Sequence, residues 1–490
     1  MNNSNNKHFD IIIIGAGLSG IGAACQFKRK CPNKTFAILE GRSNIGGTWD
    51  LFKYPGFRSD SDMHTFSYSF KPWTHDKTIS DGATIMHYLQ ETVEEYEVKK
   101  HIKFNHWISE VSWDATEDKW CVIGTDKQHK KAVQLSCNFL LFCAGYYDYE
   151  EGYTPDFKGL ENYTGQFVHP QKWTPDIEYK NKEVIIIGSG ATAVTLLPTM
   201  AEKTKHITLL QRSPTYIISR PLHDKFAKRV HQWLPSKVAH FLARWKNILM
   251  QIYFYNLSKK KPKQVGNFIK NEISKILGPD YDVNTHFNPS YNPWDQRICA
   301  IPDNDLFHAI NEGKCTIVTD HIDSFTQKGI LLQSGKELAA DLVVSATGLK
   351  MKFIGGISIK INGKAINPSD LISYKGMMFK GLPNMATISG YTNASWTLKS
   401  DLVCEYICRL LKYMDKKGIT SFEPTLVAED MEIRPFSDLS SGYLQRALDK
   451  LPKQGDKYPW RLHHNYVKDI LKLRFGNIDD KYLRFKYNNT

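Results

Sequence analysis

The sequence predicts an α/β protein in which one parallel-sheet unit is nested inside another. Two observations lead there. Apolar, β-branched runs at residues 9–14 and 183–187 lead straight into glycine-rich turns at Gly15 and Gly188, each followed by a helical stretch. Two further apolar runs, FLLFCAG at 139–145 and DLVVSATG at 341–348, end in small-residue turns and read as matched strand ends of the same two units.

The first unit begins with FDIIII at residues 9–14, a short run suited to a strand covered on both faces. It continues into Gly15-Ala16-Gly17-Leu18-Ser19-Gly20, a helical stretch and a second strand, TFAILE. In this GxGxxG pattern Gly15 permits a tight turn and Gly17 lets the backbone approach a pyrophosphate. Gly20 lets the helix pack closely on the strand, and the helix N-terminus faces the phosphate charge. Glu40 ends the second strand 20 residues beyond Gly20, where a carboxylate accepts hydrogen bonds from ribose hydroxyls. A glycine-rich turn in an ordinary α/β protein would not explain that acid. The pattern predicts a Rossmann-like dinucleotide site, and on these residues alone FAD and NAD both fit.

The same grammar returns at EVIIIGSGATAV, where Gly188, Gly190 and Ala193 form GxGxxA. Here the second strand ends in Gln211-Arg212, with Arg212 placed 19 residues after Ala193. A carboxylate at that point would repel a 2′-phosphate, whereas a guanidinium pairs with it bidentately. Ser213 adds a hydroxyl donor. The second site is therefore expected to take NADPH in preference to NADH. The expected organisation is a first part of the first dinucleotide-binding domain at 1–150 (the FAD domain on the assignment below) and an NADP-binding domain at 151–349. The linker at 146–180, rich in Tyr, Pro, Gly and Asp, marks the crossing. Residues 350–490 return to the first domain and include a C-terminal segment.

Composition narrows the function classes. Hydrophobic residues make up 41% and aromatics 12%, enough for a large core and too many for long disorder. The N-terminus shows no basic start followed by an apolar core, and no run approaches the ~18 apolar residues that a membrane span needs, so a cytoplasmic protein is expected. The nine cysteines include no CxxC pair, which fits a reducing compartment and argues against a flavin disulfide reductase. Cys404 and Cys408 lie one helical turn apart in an apolar pattern and read as core. No metal site is expected.

The formal charge of +13 is concentrated: residues 225–270 carry eleven Lys or Arg and no Asp or Glu. No nucleic-acid-reading motif accompanies them, so no nucleic-acid partner is expected. They fall in a basic helical insertion at 222–285. From Val238, the residues Phe241, Leu242, Trp245, Ile248, Leu249, Ile252 and Tyr253 recur at helical spacing on one face. Two readings stand: a helix packed against the NADP unit with solvated lysines, or an amphipathic element resting on the inner face of an anionic membrane and guiding a lipophilic substrate inward.

Gly46-Gly47-Thr48-Trp49 resembles the flavin-binding stretch of FAD monooxygenases, which assigns FAD to the first site. Between the two glycine motifs, Tyr163, Gly165, His169 and Trp173 match FxGxxxHxxxW, the fingerprint of type I Baeyer–Villiger monooxygenases, with Tyr163 replacing the first Phe. GGTWDLFKYPGFRSDSDMHT, HFNPSYNPWDQRICAIPDNDLF and GYTNASWTLKSDL are similar to the subgroup containing the ethionamide-activating monooxygenase. The resemblance implies reduction of FAD by NADPH, capture of O2 as a C4a-peroxyflavin and conversion of ketones to esters. It implies that Arg297, in NPWDQR, is the active-site cation and that Asp60 orients it. His169 and Trp173 would couple NADP to domain movement without transferring protons. Many members carry Lys just before the arginine, where this chain has Gln296, which shifts weight for NADPH preference onto Arg212. Two alternatives remain: S- or N-oxygenation of heteroatom substrates as in flavin-containing monooxygenases, and an NADPH-dependent flavin reductase passing electrons to acceptors.

Overall fold

A computed structural model describes residues 7–75, 77–425 and 431–488. Ile11, Ile12, Ile13 and Ile14 are all buried, which only a central strand of a covered sheet allows. They lie in β1 (Lys7–Ile14), which is followed by α1 (Leu18–Lys30) and β2 (Phe36–Leu39). The edge strand β3 (Ile102–Lys103) extends the sheet beyond β2. An antiparallel meander of β4 (His106–Asp114), β5 (Lys119–Asp126) and β6 (Lys131–Phe142) then returns the chain parallel to β1.

The chain next builds a second, wholly parallel sheet from β7 (Gln166–Val168), β8 (Glu183–Ile187), β9 (His206–Gln211), β10 (Cys315–Thr319) and β11 (Leu342–Ser345). Its order is β10-β9-β8-β11-β7. Helix α2 (Ala191–Ala201) crosses from β8 to β9. Between β9 and β10 stand three helices of the basic insertion: α3 (Lys225–Trp233), α4 (Ser236–Lys260) and α5 (Pro262–Leu277). Through Val265, Ile269 and Ile273, α5 joins the core beneath the second sheet. Helix α4 spans both units: Phe254 and Leu257 pack against the core of the second, as expected, while Arg244 and Ile248 meet residues 63–67, α6 and the core of the first.

After β11 the chain returns to the first sheet. There β12 (Ser358–Ile361) pairs with β4, β13 (Lys364–Ala365) pairs with β12, and β14 (Met385–Thr387) lies along the end of β6. The path β13-β12-β4-β5-β6-β1-β2-β3, with β14 beside β6, makes nine strands. Helix α6 (Trp396–Lys417) covers α1, burying Leu402, Val403, Ile407 and Leu410 in a shared core. The two crossings between the sheets pair with each other, Tyr147–Gly152 running antiparallel to Leu349–Met351.

The matched strand ends have a steric reason. Gly15 has φ +102°, and a Cβ there would lie 2.6 Å from the Cys143 carbonyl oxygen just past β6. Gly188 has φ +129°, and its Cβ would lie 2.4 Å from the Ala346 oxygen just past β11. In both sheets the turn presses against the end of the neighbouring strand, so only glycine serves. Gly15→Ala should therefore cost about 1–3 kcal/mol through backbone strain and overpacking. Thermal unfolding and flavin absorbance per chain would test this, and a variant with wild-type melting and full flavin content would contradict it.

Candidate active site

The carboxyl ends of the central strands open onto a cavity of about 470 Å³, as expected of open parallel sheets. Gly15, Gly17, Glu40, Gly47, Thr48 and Trp49 line it from the first unit, and Asp60 and Arg297 line it as well. Glu40 is buried and accepts from two backbone amides, Ala16 at 2.7 Å and Arg42 at 2.9 Å. Burial pushes its carboxyl up, and these two amides pull it down. The carboxylate thus ties the end of β2 to the glycine turn. Gly46 donates its amide to the Ala16 carbonyl at 2.9 Å, so the two glycine loops lie against each other. Arg42 braces this corner, reaching the Gly47 carbonyl at 3.1 Å and Asp50 at 2.7 Å.

The helices behind both turns suit phosphate. Helix α1 starts at Gly17 and α2 at Gly190, and neither has a side-chain cap or an acidic residue in its first turn. Their first amides are left for an anion, and the helix dipole favours one. A Cβ on Gly190 would meet nothing within 4 Å, so a ligand can come right up to the backbone there. Gly20 is closed instead: its Cβ would fall 1.9 Å from the Gly15 oxygen, so it serves helix–strand packing. Ala193 is buried in the same role on α2. Arg212 and Ser213 are exposed at the end of β9, and the Ser213 carbonyl accepts from Ser189 Oγ at 2.9 Å. That contact brings Arg212 to the rim of the second glycine turn. No ion pair occupies Arg212 among the described residues. Gln211, by contrast, is buried and donates to the His286 carbonyl and Thr319 Oγ1, holding neighbouring segments together.

Opposite the flavin-type turn, Arg297 Nη2 lies 3.2 Å from Asp60 Oδ1. The aspartate holds the guanidinium well above the usual arginine range, so it stays charged. A second pair of reversed polarity, Arg58 with Asp305 at 2.5 Å, runs beside it. Three phenols that the sequence reading missed sit around Arg297. Tyr146 donates to Tyr147 across 2.9 Å, and Tyr146 stacks on Trp396 at 5.2 Å. Burial pushes Tyr147 well up and Tyr443 to about 12, although Arg297 draws both down. They remain protonated donors at neutral pH. Tyr146 and Tyr147 follow directly on the strand end at 139–145, a position that signals a ligand crevice; Tyr443 carries no such signal.

His169 and Trp173 lie outside the cavity lining. The His169 Nδ1 accepts from the Gln171 amide at 3.1 Å, so Nε2–H donates to the Gly348 carbonyl at 3.0 Å. Burial pushes the ring pKa down, which keeps it neutral. It pins the linker to the end of the second sheet, and Trp173 is buried in that sheet's core beside Tyr179.

The flavin-type turn lines the cavity, and the second unit reaches it through Ala191, Thr192 and Thr195 of α2, while Gly188, Gly190, Arg212 and Ser213 lie outside the lining. With the fixed cation this suits a flavin- and pyridine-nucleotide-type oxidoreductase. Residues 12–318 match the family described as pyridine nucleotide-disulphide oxidoreductase. The FAD-containing monooxygenase EthA of Mycobacterium tuberculosis is 48% identical over 480 residues, 98% of each chain. The probable FAD-binding monooxygenase AlmA of Acinetobacter baylyi is 47% identical over 481 residues, covering 98% of this chain and 96% of its own. A steroid monooxygenase bound to NADP shares the fold with TM-score 0.77 and 20% identity over 98% of this chain and 100% of its own. An open cyclohexanone monooxygenase gives 0.75 and 18% over the same shares. The chain belongs to the FAD-containing monooxygenases of the EthA and AlmA type. It is an FAD-containing monooxygenase, a class of enzyme that uses O2. All nine of its cysteines are free thiols.

Replacing Arg212 by Ala removes the exposed charge at the end of β9, beside the second glycine turn. NADPH use should fall about 10- to 100-fold, the value of ~1.5–3 kcal/mol for a charge-assisted contact, with NADH use little changed. Steady-state kinetics with both cofactors checks this; equal losses would count against the assignment.

Proposed function

We propose that this monooxygenase inserts one oxygen atom of O2 beside the carbonyl of lipophilic ketones, yielding esters. The observation that carries the reading is Arg297, a permanent cation held by Asp60 at the cavity wall. Attack on a ketone carbonyl creates an oxygen anion, and a preorganised cation in a site shielded from water stabilises such a charge without reorganisation. Oxygenation of a sulfide or amine creates no tetrahedral oxyanion and has no comparable need for the arginine.

Bound FAD, reduced by NADPH, supplies the oxygen-activating chemistry. The protein's own residues hold it: the α1 turn and Glu40 on its nucleotide half, and Gly46, Gly47, Thr48 and Trp49 further along. Arg212, Ser213 and the α2 turn hold NADPH. Trp49, Phe52, Phe57, Phe66 and Trp396 wall the cavity with rings, which favours an apolar substrate and excludes water. Tyr147 and Tyr443 stay protonated, so each can donate a hydrogen bond and neither serves as a base. With domain limits near residues 150 and 350, Arg297 belongs to the NADP unit and Asp60 to the FAD unit. A cytoplasmic protein fits the nine free thiols, with the basic insertion held on the inner face of the membrane.

Incubation with NADPH and 18O2 against panels of ketones and sulfides tests the reaction. Label in esters supports the reading; labelled sulfoxides without ester would replace it with heteroatom oxygenation. Unlabelled products with NADPH consumed by acceptor dyes would leave only a reductase. Arg297→Ala should retain FAD yet lower ester formation at least about 100-fold, as removal of one oxyanion partner does. Ketone conversion near the wild-type rate in that variant would show that Arg297 is not the stabilising group.

A further inference from the structure

Helix α4 is built inside out. Its polar side chains face the protein: His240 and Arg244 are buried, and Arg244 Nη1 donates to the carbonyls of His64 at 3.0 Å and Ser67 at 2.8 Å. Asn247 reaches Asp62 Oδ2 at 3.2 Å and Gln251 reaches Thr65 Oγ1 at 3.4 Å. The face pointing to solvent is apolar instead, with Phe241 57%, Leu249 54% and Tyr253 69% exposed, and Val238 between. Trp233, at the end of α3 just before it, is 85% exposed. Of the expected stripe, Ile248 turns inward, to 1%, and Trp245 and Ile252 are half-buried against the core of the first unit. A water-facing helix normally shows the reverse arrangement, and apolar patches of this kind mark a surface that is covered by something.

Charge says what covers it. Lys228, Arg229, Lys237, Lys260, Lys261 and Lys263 are exposed around the patch and have no ion-pair partner among the described residues. No Asp or Glu occurs between 225 and 270, so two copies meeting at this face would repel. An anionic bilayer offers both complements at once: acyl chains for the rings and phosphate for the lysines. No helix among the described residues is long and apolar enough to cross a membrane, so contact would be peripheral.

We propose that the outer face of α4, with Trp233 leading it, docks into the headgroup region of an anionic lipid bilayer. This rests on the inner-membrane location proposed above and specifies its lipid and its residues. The inner face of the same helix holds residues 64–67 through Arg244, and Phe66 of that short helical turn walls the flavin cavity. Docked lipid would then lie one helix away from the reaction chamber.

Vesicle flotation of the holoenzyme tests the proposal, using phosphatidylcholine alone or mixed with phosphatidylglycerol, at low and high salt. The wild type should float with the anionic vesicles at low salt and largely detach at high salt. The double variant Trp233→Ser/Phe241→Ser should lose at least tenfold in bound fraction. Phe475→Ser, which removes a ring 69% exposed elsewhere, should float as the wild type does. Turnover of a water-soluble ketone without lipid should be the same in all three, showing that the fold is intact. A double variant that floats normally would overturn the α4 face and leave the peripheral location standing. A wild type that floats with no vesicle overturns both, and equal flotation on neutral vesicles overturns the anionic lipid. Loss of a dimer in sedimentation, without flotation, would assign the face to self-association.

Discussion

A guanidinium that must face an open cavity will move unless an opposite charge fixes it, and much of this site depends on that constraint. Asp60 performs the task for Arg297, and two residues earlier Arg58 pairs with Asp305. The polarity of the second pair is reversed, so a one-for-one exchange of partners would set like charges together. Residues 58–60 belong to the first unit, and 297–305 lie between strands of the second. The two bridges therefore set the distance between the sheets as well as the direction of the arginine. Asp305 shows the cost of such burial: desolvation pushes its carboxyl up, and Arg58 restores part of the ionised form. Removing either partner of a pair this sheltered leaves a charge without compensation, which destabilises far more than the pair itself stabilises.

The architecture was legible because parallel sheets covered on both faces leave a local trace. Ile11 to Ile14 and Ile185 to Ile187 are unbroken apolar runs, and the glycines that follow are demanded by carbonyls two or three ångströms away. Those constraints act over short stretches of chain and so show in the sequence. Arg297 and Asp60 lie 237 residues apart, and nothing in the spacing joins them. Their pairing was readable only through motifs shared with a known family. The phenol of Tyr443 and the ring of Trp396 reach the cavity from the returning segment, and only the folded chain brings them there. His169 was legible as a motif, but its contact with the Gly348 carbonyl shows a pin in the crossing.

Helix α4 shows a different limit. Periodicity located a stripe along the helix correctly, yet it says nothing about which side the core lies on. The rule that apolar faces turn inward follows from burial being favourable. Here three backbone carbonyls of the short helical turn at 63–67 and the carboxylates of Asp62 and Asp401 claimed the polar side instead. Buried acceptors need donors, and Arg244 with Asn247 supplies them. The rings were left outside as a result.

The nesting of one sheet in the other also orders events during synthesis. Every strand of the second sheet lies between residues 166 and 345, and its two ends are brought together by the ribbon of Tyr147–Gly152 and Leu349–Met351. That unit can close as soon as its own stretch has left the ribosome. The first sheet begins earlier and finishes later: β4 waits for β12, β6 waits for β14, and α1 stays uncovered until α6 emerges. Tyr391, Trp396 and Tyr443, which enclose the cavity, arrive only with this last part. Flavin uptake is therefore a late event in biogenesis, and a nascent chain stalled before residue 390 would present half a flavin cradle beside a finished pyridine-nucleotide unit.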